Sequence, residues 1–275
     1  MPNWCSLTCC GPISASRISP RRWPSSPGGS GALARAPAER AAAPAGTRWG
    51  DLRPRVLSAL VLLPLALGCL WLGGGAWAGL VGAGGVGLGW EWWSLCRRRP
   101  GRVPALTLGL GAVYLAPGVA ALIWLRSDPA VGLANVLFVL LVVWASDIGA
   151  YLAGRWLGGP KLAPSVSPGK TWSGAAGGTV CAAAVGVAYA LAWRVGPAWY
   201  GPIGYAMAVA AALSVLSQGG DLFESGLKRH FGVKDSSHLI PGHGGLMDRL
   251  DGVLIAAPAA ALLALLLGRG MALWQ

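Results

Sequence analysis

The sequence predicts an all-α, polytopic integral membrane protein with about seven (seven to nine) transmembrane helices and a charged site on the cytoplasmic side. Of its 275 residues, 54% are hydrophobic and only 12% are charged, which is unlike an ordinary soluble domain. From Val56 onward, apolar segments recur at close to the ~20 residues that a helix needs to cross a bilayer. Forty-three glycines in an alanine-rich background fit helices that pack closely within a membrane.

Seven apolar segments define the predicted spans. The second is rich in glycine, so a re-entrant pair of short segments is an alternative to a single crossing helix there. The spans are placed at residues 56–72, 76–95, 104–125, 130–147, 174–193, 202–218 and 252–268.

Residues 1–50 differ from the rest of the chain. They are rich in Pro, Ser, Ala, Gly and Arg, and they lack the apolar core of a secretory signal. Because such a composition cannot bury a hydrophobic core, we expect a disordered, basic N-terminal tail. The membrane-embedded domain is expected at residues 51–275.

The basic residues predict the orientation of the spans. If the N-terminus is cytoplasmic, thirteen cations of the domain lie on the cytoplasmic side and three on the opposite side. The positive-inside rule therefore favours a cytoplasmic N-terminus. The formal net charge of +12 is accordingly assigned to contact with a membrane surface, and no nucleic acid is expected as a partner.

Acidic residues are concentrated between the last two spans, in residues 219–252. This stretch holds five of the ten acidic residues and all three histidines, and charge this dense beside membrane spans indicates chemistry. Asp221 and Glu224 lie three residues apart and would share one helix face. Asp248 and Asp251 repeat this spacing at the start of the last span. Two carboxylate pairs converging from two helix ends predict an all-oxygen site suited to Mg²⁺.

The same stretch offers groups that bind phosphate. Lys228 follows Glu224 by one helical turn, and His243 precedes two glycines, which let backbone N–H groups approach an anion closely. Carboxylates for a metal, cations for phosphate and a flexible turn are the components of phosphoryl or nucleotidyl transfer. A zinc site is disfavoured because the three histidines lack a spacing typical of zinc ligands.

About a dozen positions in residues 225–251 form an ordered pattern, S-x-L-K-R-x4-K-D-x6-G-H-G-G-x2-D-R-x-D. A second pattern covers residues 147–151 and 167–172. Together these motifs resemble those of the phosphatidate cytidylyltransferases (CDP-diacylglycerol synthases). The resemblance extends from about residue 53 to the C-terminus, and it departs from the family at Gly169, where a second lysine is usual.

The resemblance implies a nucleotidyltransferase of the bacterial inner membrane that condenses CTP with phosphatidate to CDP-diacylglycerol and pyrophosphate, with its site facing the cytoplasm. It implies Mg²⁺ as cofactor and the lipid bilayer as a partner, and it leaves a homodimer open. Asp221, Asp248 and Asp251 are expected to bind the metal and, with Arg249, to be catalytic. The expected substrate-binding residues are Lys170, Ser225, Lys228, Arg229, Lys234, His243, Gly244 and Gly245.

Two other functions share parts of the pattern. A CTP-dependent polyprenol or lipid-alcohol kinase would also bind a cytidine nucleotide at a membrane, but it would release CDP instead of pyrophosphate. An ion-coupled transporter would use carboxylates near the bilayer midplane. The clustering of charge at one face and the lack of a two-fold sequence repeat disfavour the transporter.

Two acidic residues lie outside the main stretch. Glu91 is placed near the end of the second span among three tryptophans, where an interfacial anchor and a functional carboxylate are both open. Asp147 ends the fourth predicted span and is either solvated at the membrane edge or part of the site through its motif.

Overall fold

The computed structural model describes residues 48–98, 105–192, 203–233, 235–237, 239, 244–268 and 272–274. Within these residues the chain forms seven α-helices and one short β-hairpin, so the predicted all-α architecture is confirmed. The predicted tail lies outside the described residues, apart from the start of the first helix. The elements in chain order are α1 (Arg48–Leu72), α2 (Gly74–Arg97), α3 (Ala105–Arg126), α4 (Gly132–Leu157), β1 (Lys161–Ala163), β2 (Ser167–Thr171), α5 (Trp172–Ala192), α6 (Ile203–His230) and α7 (Met247–Leu267).

Five helices, α3 to α7, are long and apolar enough to cross a membrane. Within α1, Val56–Leu72 forms a shorter apolar helix. The glycine-rich segment is one continuous helix of 24 residues, α2, and not a re-entrant pair. At ~1.5 Å per residue, α2 is ~36 Å long, somewhat more than the ~30 Å thickness of a bilayer core.

Several helices extend beyond their predicted spans. The fourth span was predicted to end at residue 147, but α4 continues to Leu157. Likewise, α6 continues past residue 218 to His230, and α7 begins at Met247, before its predicted start. Hydropathy detects only the apolar part of a helix, whereas backbone hydrogen bonds continue through polar residues. Asp221 and Lys228 of α6 and Asp248 of α7 therefore lie on helical turns beyond the predicted spans.

Helix ends meet at two opposite faces of the bundle. At one of them, the distal face, Arg126 Nε at the end of α3 donates to Leu70 O at the end of α1 over 2.7 Å. There the Leu273 amide also donates to Asn135 Oδ1 near the start of α4, over 3.0 Å. The opposite face, called the site face below, gathers the C-terminal ends of α2, α4 and α6, the N-terminal end of α7 and the hairpin.

Glycines bring α6 and α7 into close contact at the site face. A Cβ atom on Gly220 would lie 2.7 Å from Asp251 O, and one on Gly252 would collide with Ser217 Oγ. Only glycine permits this separation of the two helices. Because each glycine is next to an aspartate, the crossing brings Asp221 of α6 close to Asp251 of α7.

The β-hairpin connects α4 to α5 and returns toward the end of α6. Its strands pair antiparallel, with Lys161 opposite Thr171. Thr171 Oγ1 accepts a hydrogen bond from the Gly174 amide in the first turn of α5, over 3.1 Å. Arg229 Nε donates to Val166 O over 3.3 Å, which attaches the hairpin to the C-terminal end of α6.

Candidate active site

Carboxylates from three helices converge at the site face. Asp147 of α4, Asp221 of α6 and Asp251 of α7 interact electrostatically with one another. Glu224 lies on α6 next to Asp251, and Asp248 lies in the first turn of α7. Residues far apart in the chain thus form one acidic cluster, in which the two predicted carboxylate pairs meet and Asp147 joins them.

Two lysines neutralise part of this cluster. Lys170 of β2 forms an ion pair with Asp221, with 2.5 Å between Nζ and Oδ2. Lys228 Nζ lies 2.9 Å from Asp248 Oδ1 and 3.3 Å from Glu224 Oε1. Lys228 therefore links α6 to α7, while Lys170 attaches the hairpin to α6. The loop that carries Lys170 thus folds back onto the aspartates.

Asp248 is held by a set of donors in addition to Lys228. The Ser236 amide and hydroxyl and the Gly245 amide each donate to Asp248 Oδ2 over 3.1 Å. A Cβ atom on Gly245 would collide with Ser236 Oγ and lie 2.9 Å from Asp248 Oδ2. Glycine is required at this position because the turn passes directly against the carboxylate. The Gly245 amide, expected to bind substrate, here has an internal acceptor.

Glu224 is a carboxylate of the cluster whose oxygens lack hydrogen-bond donors among the described residues. Its side chain is fully buried, and neither carboxylate oxygen accepts a hydrogen bond within the described part of the chain. Its ion pair with Lys228 is shared with Asp248. Keeping a buried carboxylate ionised beside another acid, with a lysine that it shares with Asp248, is costly unless further positive charge is present.

The charge and the donor type of the cluster fit a divalent cation. Five carboxylates and two lysines leave three negative charges in excess if all are ionised, and carboxylate oxygens are the ligands that Mg²⁺ prefers. In the arrangement described, no three acidic, histidine or cysteine side chains surround one point closely enough to hold a metal. Lys170 and Lys228 are bound to Asp221 and Asp248 instead. The Mg²⁺ site stays a prediction.

A cleft of about 470 Å³ opens beside the ion pair between Lys170 and Asp221. This volume lies in the range of small-molecule sites and suits part of a nucleotide or a lipid headgroup. Gly154 of α4 and Gly174 of α5 line it where the two helices pack closely, since a Cβ atom on Gly174 would lie 2.8 Å from Ala150 O. Its polar lining consists of Asp147, Tyr151, Arg155, Lys170, Thr171, Gln218 and Asp221.

The other predicted residues on α6 lie next to the cluster. Ser225 Oγ donates to Asp221 Oδ1 over 3.5 Å, one turn away on the same helix. Arg229 is exposed and contacts the hairpin through Val166 O. Ser225 therefore supports an aspartate, and Arg229 supports the hairpin that carries Lys170.

The predicted residues around the start of α7 are described only in part. Gly244 has a φ of +85°, a conformation that strains any residue with a side chain. Arg249 is exposed in the first turn of α7. Lys234 and His243 lie outside the described residues. The assignment of these four residues to substrate binding or catalysis stays a prediction.

Glu91 lies in the interior of the protein, against the turn that precedes α7. Its side chain is completely buried, so the interfacial-anchor reading is wrong. Its carboxylate accepts hydrogen bonds from the amides of Leu246 and Met247, over 2.7 and 2.8 Å, and from the hydroxyls of Ser236 and Ser237. The only signal in the sequence was an acidic residue inside an apolar segment.

Comparisons with known proteins identify relatives across most of the chain. Residues 105–267, from the start of α3 to the end of α7, match the cytidylyltransferase family. The chain is 36% identical over 250 residues to a phosphatidate cytidylyltransferase of Brucella suis, covering 75% of this chain and 91% of that protein. It is 35% identical over 267 residues to one of Pseudomonas aeruginosa, covering 77% and 96%. A Haemophilus influenzae protein of the same name is 44% identical over 163 residues, 56% of each chain.

Proposed function

The chain belongs to the cytidylyltransferase family, and from this we propose that it condenses CTP with phosphatidate to CDP-diacylglycerol and pyrophosphate. The observation that carries the proposal is the acidic cluster joined by two lysines from separate segments. Lys170 reaches it from the hairpin and Lys228 from α6. Two anionic substrates require two cationic contacts, and these lysines supply them from two directions.

The reaction joins two polyanions. An oxygen of the phosphatidate phosphate attacks the α-phosphorus of CTP, the bond from that phosphorus to the bridging oxygen breaks, and pyrophosphate leaves with the electron pair. Because the attacking phosphate is already anionic near neutral pH, no strong general base is required. The main barrier is electrostatic repulsion, so cations held in place at the reacting phosphates lower it.

Each cationic group has an assigned task in this proposal. Lys170, which lines the cleft beside Asp221, binds the phosphate of one substrate at some distance from the reacting atoms. Lys228 of α6 and Arg249 of α7 neutralise charge near the α-phosphate of the transferred cytidylyl group. The ion pairs seen with Asp221, Glu224 and Asp248 keep the lysines extended toward the cluster while no substrate is bound.

We further propose that Asp221, Asp248 and Asp251 hold Mg²⁺, which when bound supplies positive charge to the triphosphate and the leaving pyrophosphate. The excess of negative charge in the cluster and the unsatisfied oxygens of Glu224 support this assignment. Without added positive charge, the cluster would repel both substrates.

The chain is an integral membrane protein with five helices long and apolar enough to span a bilayer, and we propose that its site face lies in the cytoplasm of a bacterial inner membrane. The basic side chains of α2 to α7 and the hairpin support this orientation, since the described ones concentrate at the site face. Arg126 lies at the distal face. Those at the site face are Arg97, Arg98, Arg155, Lys161, Lys170, Lys228, Arg229 and Arg249.

The test is an assay of the released product with purified protein, CTP, phosphatidate and Mg²⁺. Stoichiometric release of pyrophosphate with formation of CDP-diacylglycerol is the expected result. Release of CDP from CTP in the presence of a lipid alcohol would instead identify a kinase. Omitting phosphatidate serves as the control, because pyrophosphate released without it would indicate simple hydrolysis of CTP.

A further inference from the structure

Glu91 connects α2 to the turn that precedes α7. The Leu246 and Met247 amides at the start of α7 point into its carboxylate, where the partial positive charge of a helix N-terminus stabilises an anion. The Ser236 and Ser237 hydroxyls complete the set of donors. All four donors lie close in the chain to Gly244 and Gly245, the described glycines of the active site.

The Glu91 network continues directly into the acidic cluster. Ser236 Oγ lies 3.2 Å from Glu91 Oε2 and 3.1 Å from Asp248 Oδ2, so one hydroxyl bridges the two carboxylates. The Gly245 amide donates to the same oxygen of Asp248. Asp248 in turn contacts Lys228. A change at Glu91 thus reaches Lys228 through only two intervening side chains.

The residues around the Glu91 network are packed so closely that a side chain larger than that of glycine would collide at Gly245 and be tightly confined at Gly87. A Cβ atom on Gly245 would lie 3.1 Å from Glu91 Oε1 as well as colliding with Ser236 Oγ. On the helix side, a Cβ atom on Gly87 would lie 3.3 Å from Leu246 Cδ2 and 3.5 Å from Leu239 Cδ2. The turn therefore packs tightly onto α2 one turn before Glu91, and the hydrogen bonds and the packing define the same position.

We propose that Glu91 is a positioning residue for the transfer reaction. It holds residues 236–237 and 244–247, which lead into α7, against α2, so that Asp248 meets Lys228 in the geometry needed for catalysis. It does not touch substrate itself, because it is completely buried behind the turn. The catalytic part of this proposal rests on the proposed function, whereas the positional part concerns the turn alone.

Substitution of Glu91 by glutamine tests the proposal with little change of shape. The amide nitrogen of glutamine cannot accept a hydrogen bond, so one of the Leu246 and Met247 amides loses its acceptor. We expect kcat to fall by about 10- to 100-fold, the usual effect of removing a group that orients an active-site ligand. The KM values for CTP and phosphatidate should change by less than about threefold, since no substrate contact is lost.

Asn135 provides a matched control at the distal face. Its side chain is 3% exposed, and its Oδ1 accepts a hydrogen bond from the Leu273 amide, so Asn135→Ala also removes a buried polar group that anchors a segment. We expect Asn135→Ala to lower the melting temperature without changing kcat per folded molecule. If Glu91→Gln lowered only the melting temperature, as the control does, Glu91 would be merely structural and the proposal would be overturned.

Ser236→Ala is a milder variant that keeps the test decisive if Glu91→Gln folds poorly. It removes the hydroxyl that bridges Glu91 and Asp248. Because both substitutions break the same connection, their combined effect on kcat should be clearly smaller than the product of the single effects. Multiplicative effects would show that the two residues act independently and would contradict the proposal.

Hydrogen–deuterium exchange supplies a readout that does not depend on activity. In Glu91→Gln, the amides of Ser236, Gly245, Leu246 and Met247 should exchange faster, while the hairpin at residues 161–171 should be unchanged. Faster exchange throughout the chain, or no change at residues 236–247, would overturn the positional part. If the wild-type protein released no pyrophosphate, the proposed function and the catalytic part would fail, and the exchange result would still decide whether Glu91 holds the turn.

Discussion

Replacing Lys228 with methionine removes the cation that lies between two carboxylates of the cluster. Lys228 Nζ is 2.9 Å from Asp248 Oδ1 and 3.3 Å from Glu224 Oε1. At an effective dielectric constant of ~20, these separations correspond to attractions of about 6 and about 5 kcal/mol before desolvation is counted. Desolvation offsets much of this, and loss of one partner from a buried pair costs about 3–5 kcal/mol because the other charge stays buried. We expect Lys228→Met to lower the free energy of unfolding by that amount.

A second substitution, at Glu224, should restore part of the stability lost in Lys228→Met. Most of the penalty should come from Glu224, whose side chain is fully buried, whereas Asp248 keeps its donors from Ser236 and Gly245. Adding Glu224→Gln to Lys228→Met removes the uncompensated charge and should restore roughly half or more of the lost stability. Pyrophosphate release should not recover, because the cation proposed to act at the reacting phosphates is still absent.

Thermal unfolding in detergent micelles and pyrophosphate release measure the two effects separately. Lys161→Met is the matched control, since it removes an exposed lysine from β1 on the same face. A change of less than ~0.5 kcal/mol is expected for it, as for most surface substitutions. If Lys228→Met proved as stable as Lys161→Met, or if Glu224→Gln failed to rescue it, the assignment of a buried, lysine-dependent charge would be refuted.

Three further substitutions test separate parts of the site. Asp221→Asn should reduce pyrophosphate release by ~100-fold or more at every Mg²⁺ concentration, with little loss of stability, because it removes a charged oxygen from a partly exposed site. If excess Mg²⁺ restored activity, Asp221 would not be an essential metal ligand. Lys170→Ala should raise KM for one substrate, whereas Arg249→Ala should lower kcat. Steady-state kinetics with CTP and phosphatidate varied separately will distinguish the two effects. Unchanged KM values in Lys170→Ala would show that the hairpin does not bind substrate. Gly220→Ala should destabilise the protein by about 1–3 kcal/mol and lower kcat, because the new Cβ would meet Asp251 O; a melting temperature equal to that of the wild type would contradict the close crossing of α6 and α7.

The number and order of the helices could be predicted because they depend on local properties. An apolar run of sufficient length forms a helix in a membrane wherever it occurs, since its backbone groups must be satisfied internally. The ends of the helices were less accurate: α4 was predicted to stop at residue 147 and continues to Leu157. Polarity marks where a helix leaves the bilayer but does not interrupt its hydrogen bonds.

Part of the acidic cluster was also predictable from spacing. Asp221 and Glu224, and likewise Asp248 and Asp251, are close in the chain, so helical geometry alone places each pair together. That the two pairs face each other depends on the close crossing at Gly220, where the absence of a side chain decides the distance. The glycines beside the aspartates were visible in the sequence, but their partners across the interface were not.

By itself, then, the sequence determined the membrane character, the helices and the residue types of the site, because hydropathy and short-range spacing carry that information. Only the tertiary structure decided that Lys170 pairs with Asp221 and that Glu91 holds the start of α7. Glu91 and Leu246 are 155 residues apart, and no periodicity or motif relates positions at such a separation. Their contact follows from the packing of α2 against the turn, and a buried carboxylate is stable there only because the amides of α7 and two hydroxyls converge on it.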